Sequence, residues 1–128
     1  MIANPYEKYR QSSVQTSKPS QLVIMLYDGA IKFIKTALQE LEIRNYDQVN
    51  SYFGKAQMII SELMSTLNHD ITISKDLFSL YEYMNYSLVQ ANIKKCAEPA
   101  STTLILLIEL RDTWIQASKI ANAGIGNE

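Results

Sequence analysis

Cysteine occurs once in the 128 residues, at Cys96, and histidine once, at His69. A single cysteine closes no intramolecular disulfide, so the expectation is a chain that folds without one in a reducing, cytoplasmic compartment. One cysteine and one histidine, distant in sequence, also leave no zinc spacing and no cysteine–histidine pair for nucleophilic chemistry. Thr66 stands three residues before His69, where the Glu-x-x-His pattern of di-iron bundles would need a glutamate. No glycine-rich phosphate loop or nucleophile elbow is present, so no specific reason for an enzyme, a metal or a cofactor survives. An excess of one charge is missing too. Lys and Arg number 12 against 13 Asp and Glu, for a net charge of -1, and no basic run exceeds Lys94-Lys95. That balance gives no electrostatic grip on nucleic acid or an anionic membrane. No apolar run approaches the ~20 residues of a membrane span. The opening MIANPYEKYRQ lacks the basic and apolar regions of a secretory signal. Four glycines and three prolines are few, and leucine, isoleucine, lysine, glutamate and glutamine fill long segments, which predicts an all-α domain.

What the chain does contain is apolar periodicity. From Pro19 to Leu41, Leu22, Met25, Leu26, Gly29, Phe33, Ala37 and Leu41 recur at helical spacing. A second row, Val23, Ile24, Tyr27, Ala30, Ile31, Ile34 and Leu38, widens the apolar arc beyond one helix contact and requires a further cover. Gly29 sits mid-helix, where glycine costs roughly 1 kcal/mol against alanine, and is read as a point of close backbone approach.

Three more helical segments follow. Asn45, with Gln48 in capping-box position, predicts a helix carrying Val49, Phe53, Ala56, Ile60, Leu63 and Leu67 and ending near Asn68. Ser74 is the expected N-cap of a third, striped by Leu77, Tyr81, Met84, Leu88 and Ala91, with Phe78, Tyr83 and Tyr86 off the stripe. A turn over 95–98, with Pro99 in the first helical turn, opens a fourth. Its seam is Leu104, Leu107, Arg111, Trp114, Ser118 and Ala121, and the run LILLIEL is too apolar for one stripe, as in a central helix or one that faces both core and ligand. Short connections make consecutive helices antiparallel neighbours. Residues 1–18 are polar but carry Tyr6 and Tyr9, three apart, as on one side of a short helix that holds only by docking. The expected organisation is an N-terminal flap over 1–18, a bundle over 19–122 and a frayed tail over 123–128. Surplus apolar and tyrosine-rich surface on such a bundle points to association.

The block NPYEKYRQSSVQTSKPSQLVIMLYDGAIKFIKTA, from Asn4 to Ala37, resembles the start of the flagellin export chaperone family, FliS. The likeness continues through KAQMIISELMSTLN, LYEYMNYSLVQANIK and ELRDTW. The resemblance implies an antiparallel up-down four-helix bundle in the bacterial cytosol that binds the disordered C-terminal segment of flagellin. It would block premature polymerisation and keep the subunit acceptable to the export apparatus. It also implies that Tyr6 and Tyr9 lie on an N-terminal flap covering a hydrophobic groove. The groove is expected to draw on Ile24, Tyr27 and Ile31 of the first long helix and on Phe78, Tyr83 and Tyr86 of the third. Further expected partners are the flagellar export gate, an anti-sigma factor or a co-chaperone. The alternative reading is a regulatory bundle that binds another amphipathic helix.

Overall fold

The structure, a computed structural model, describes residues 19–126, with side chains over 21–121. The expected flap over 1–18, with Tyr6 and Tyr9, lies outside the described residues. Four helices follow one another: α1 (Pro19–Glu42), α2 (Tyr46–Ser65), α3 (Thr72–Lys94) and α4 (Glu98–Gly126). Each packs on the next, and α4 closes the ring against α1. Cross-links at Asn92–Asn50 and Asn85–Ser61 run in opposite senses along α2 and α3, as antiparallel neighbours require. The fold is the all-α, antiparallel four-helix bundle read from the sequence.

Ring closure explains the width of the apolar arc on α1. Leu26, Tyr27, Ala30, Ile31, Phe33, Ile34 and Ala37 are all buried, because α2 covers one flank and α4 the other. α2 buries Val49, Phe53, Ala56, Ile59, Ile60 and Leu63, which is its expected stripe with Ile59 added and without Leu67, which lies past the helix end and is half-buried. α3 buries Ser74, Tyr81, Met84, Ser87, Leu88 and Ala91. Among its described side chains α4 buries only Ala100, Thr103 and Leu107, and Ile105 is 58% exposed, so the run LILLIEL belongs to a peripheral helix and not a central one. It continues to Gly126, past the point at which the apolar pattern ends.

Helix ends depart from expectation for local reasons. α1 closes in a Schellman arrangement, with Asn45 N–H donating to the Glu40 carbonyl (3.0 Å) and Arg44 N–H to that of Leu41 (3.1 Å). Arg44 takes the left-handed position at φ 57°. Asn45 therefore ends one helix and begins the next, with φ -85° and ψ 75°, and its side chain makes no capping bond. The extended backbone that aims an N-cap side chain at the first turn is denied to it. Lys95 repeats the device after α3 at φ 49°, with Cys96 N–H donating to the Ala91 carbonyl at 3.1 Å. α2 stops at Ser65, short of Asn68, where the Ser65 and Thr66 hydroxyls donate back to the Glu62 and Leu63 carbonyls, each at 2.7 Å. α3 starts at Thr72 after Ile71, which places Ser74 inside the helix and buried instead of at the cap.

Candidate partner-binding groove

Of the four seams, that between α3 and α4 is the most sparsely packed. Helices that do not close on each other leave a groove between their facing rims, and here it opens into a cleft toward each end.

Near the start of α3 and the later part of α4, Ile73, Leu77, Leu110, Thr113, Trp114 and Ala117 enclose about 300 Å³ with an apolar wall. Adjoining it at the bundle end is a cleft of about 230 Å³ that shares Ile73, Leu77 and Trp114 and reaches Val23, Leu67 and Tyr81. At the opposite end Tyr83, Tyr86, Gln90 and Lys94 face Glu98, Pro99 and Thr102 across about 320 Å³. The α3–α4 seam thus carries an apolar chamber at one end and a tyrosine-rich, charged cleft at the other. Tyr83 and Tyr86 are 51% and 62% exposed, and Val89 and Ile93 extend the apolar surface of α3 outward beside them. Tyrosine suits such a place, because its ring buries on contact while its hydroxyl stays satisfied by water or a partner.

Two core phenols pair beneath the apolar chamber. The Tyr27 and Tyr81 hydroxyls hydrogen-bond each other across the diagonal between α1 and α3, with ring centroids 6.4 Å apart. The Trp114 indole lies beside this pair, at the border of both clefts. Burial raises the pKa of both phenols above the ordinary value, because a phenolate there would lose its hydration; for Tyr27 the hydrogen bond with Tyr81 opposes that rise in part. At the outer edge of α4, Arg111 meets Asp28 of α1 at 3.2 Å, both partly exposed.

Of the residues expected to line the groove, Tyr83 and Tyr86 do meet the start of α4 across it. Tyr27 and Ile31 do not belong to an open surface. They are 0% and 4% exposed, sealed in the core by the two helices flanking α1. Ile24 is half-buried on α1, and Phe78 turns toward the end of α2, its ring 5.8 Å from His69 in an edge-on contact. His69 is accordingly a packing residue here, and among the described residues no three His, Cys, Asp or Glu side chains are grouped to hold a metal ion. Gly29 is buried within α1. The residues that sequence reasoning missed are Ile73, Leu77, Leu110, Trp114 and Ala117. For Leu110 the signal was the excess apolar content of α4 beyond a single stripe, whereas Leu77 and Trp114 stood on the expected core stripes and only their partial burial marks them out. Among the described residues no helix is long and apolar enough to cross a membrane.

Comparison with known proteins adds an independent line. The family model described as "Flagellar protein FliS" matches residues 2–121. The "Flagellar secretion chaperone FliS" of Bacillus subtilis is 42% identical over 116 residues, covering 91% of this chain and 87% of that protein. The Salmonella typhimurium protein of the same description is 31% identical over 115 residues, with 88% and 85% covered. The "Flagellar secretion chaperone FliSB" of Pseudomonas aeruginosa is 26% identical over 114 residues, with 84% and 90% covered.

Proposed function

The chain belongs to the FliS family of flagellar proteins, and on that premise we propose that it is a cytoplasmic, non-enzymatic export chaperone holding the disordered C-terminal segment of flagellin in the α3–α4 groove. The observation that carries the groove assignment is the unclosed seam itself, apolar around Trp114 and tyrosine-rich around Tyr83 and Tyr86.

An unassembled flagellin terminus exposes amphipathic stretches that drive self-association. Helix-in-groove recognition places the apolar anchors of such a stretch, spaced i, i+3 and i+4, between two helices and leaves its polar face in water. Ordering a disordered segment costs about 2–5 kcal/mol, so a long wrap is needed to offset it. A wrap that continues past the groove would reach the half-buried Ile24 and Phe78 on other faces. Residues 1–18 then act as a flap whose Tyr6 and Tyr9 shield apolar surface until flagellin displaces them. Capture ends when the export gate takes the subunit, and no nucleotide is consumed in a step that only buries and releases surface.

Titration calorimetry with the flagellin C-terminal segment at several temperatures tests this. The expected result is 1:1 binding with a large negative heat-capacity change, weakened by Tyr83→Ala and Tyr86→Ala together. Absence of both heat and a complex on gel filtration would overturn it and turn attention to the regulatory-partner reading.

A further inference from the structure

We propose that the later half of α4, from Ile108 to Ala121, is a gate that undocks from the bundle as one unit while 98–107 stays in place, with Trp114 as its latch. Three observations converge on the boundary. Ala100, Thr103 and Leu107 are fully buried, whereas no residue from Ile108 to Ala121 is. The early half is therefore held by core packing and the later half only by partial contacts of Ile108, Leu110 and Trp114. Beneath that later half lie the two adjoining clefts of about 300 and 230 Å³, both bordered by Trp114. Side chains that border a void forfeit dispersion contacts on that side, so separating them from the core loses less than separating a packed face.

The polar attachments are few. Arg111 and Asp28 pair at 3.2 Å on a solvated edge, where such pairs hold weakly. Trp114 is different, because its large ring borders both clefts, faces Tyr81 across the second of them and packs against the core. Undocking pulls that ring out of both clefts at once and exposes it to water, which makes the loss all-or-none instead of gradual. An open gate would free the α3 face at Ile73, Leu77 and Leu80 for a further helix to pack at the usual interaxial distance of ~8–10 Å. That use rests on the chaperone reading. The gate itself is a property of the free protein.

Native-state hydrogen exchange on the full chain reads it directly. Amides over 109–117 are expected to share one protection factor, lower than those of 101–107 and of the core of α2. Trp114→Leu removes the ring that borders both clefts, and should lower that common protection factor roughly tenfold while leaving α2 unchanged. Protection that falls residue by residue toward the C-terminus would mean ordinary fraying and overturn the proposal, as would a block that exchanges only with global unfolding. The wild-type profile decides even if the variant folds poorly. Titration of the same sample with the flagellin segment separates the two ideas: a gate without binding sinks only the chaperone reading, and binding without a gate sinks only the gate.

Discussion

Tyr27 and Tyr81 each bring a hydroxyl into the core, and each is tolerable only because the other is there. Tyr27→Phe should cost about 1–3 kcal/mol, since it leaves the Tyr81 hydroxyl buried and unpaired, whereas changing both to phenylalanine should cost less than the two single changes summed. Chemical denaturation of the three variants measures this. The same pair predicts alkaline sensitivity. Both phenols have pKa values raised on folding, so above the ordinary value near 10 the unfolded chain releases protons that the folded chain retains. The stability they contribute is complete below about pH 10 and is lost as pH rises beyond it, a loss that the double phenylalanine variant should lack. Glycine makes a second contrast at this scale. A methyl group at Gly54 of α2 would meet nothing within 4 Å, so Gly54→Ala should stabilise by about 1 kcal/mol, seen as a melting temperature higher by roughly 3–6 °C. Gly29 is buried in α1, and if it serves close approach, as we propose, Gly29→Ala should lower the melting temperature instead.

Turns show how elements are joined here without the residue that usually does it. The four glycines are at 29, 54, 124 and 126, so none falls in a connection, and the left-handed positions after α1 and α3 are taken by Arg44 and Lys95. A side chain there costs roughly 1–2 kcal/mol. Arg44→Gly should therefore raise stability by about 0.5–1 kcal/mol after the extra freedom of the unfolded glycine is discounted, with denaturant unfolding as the measure. Lys95 is a less clean site, because its ammonium bonds the Asn92 amide and lies 6.0 Å from the Tyr46 ring. These ends were the least legible parts of the fold. Asn45 and Ser74 look like caps in isolation, but three connecting residues between α1 and α2 set the backbone of Asn45 from the preceding helix, and Ile71 begins α3 before Ser74 can. Cap preferences describe a residue free to choose its backbone, and neither was.

At the scale of the molecule, the ring of four seams distributes cover unequally: α1 is enclosed by two neighbours, while α3 and α4 part to leave the groove. A flap that only shields this surface should be dispensable for folding. Tyr6→Ala with Tyr9→Ala should leave thermal unfolding cooperative and change affinity for the flagellin segment; loss of cooperativity would make the tyrosines core residues. Four helices, their order and their main stripes were determined by the sequence alone, because periodicity of 3.6 and short connections leave few ways to bury so much leucine and isoleucine. The family was legible there too. Only the tertiary structure decided which apolar surface faces outward. Periodicity gives the angle at which Tyr27 and Ile31 stand around α1, but not that α4 returns to occupy that angle; its return buries them and leaves the unmatched apolar rims of α3 and α4, around Leu77 and Trp114, as the open ones.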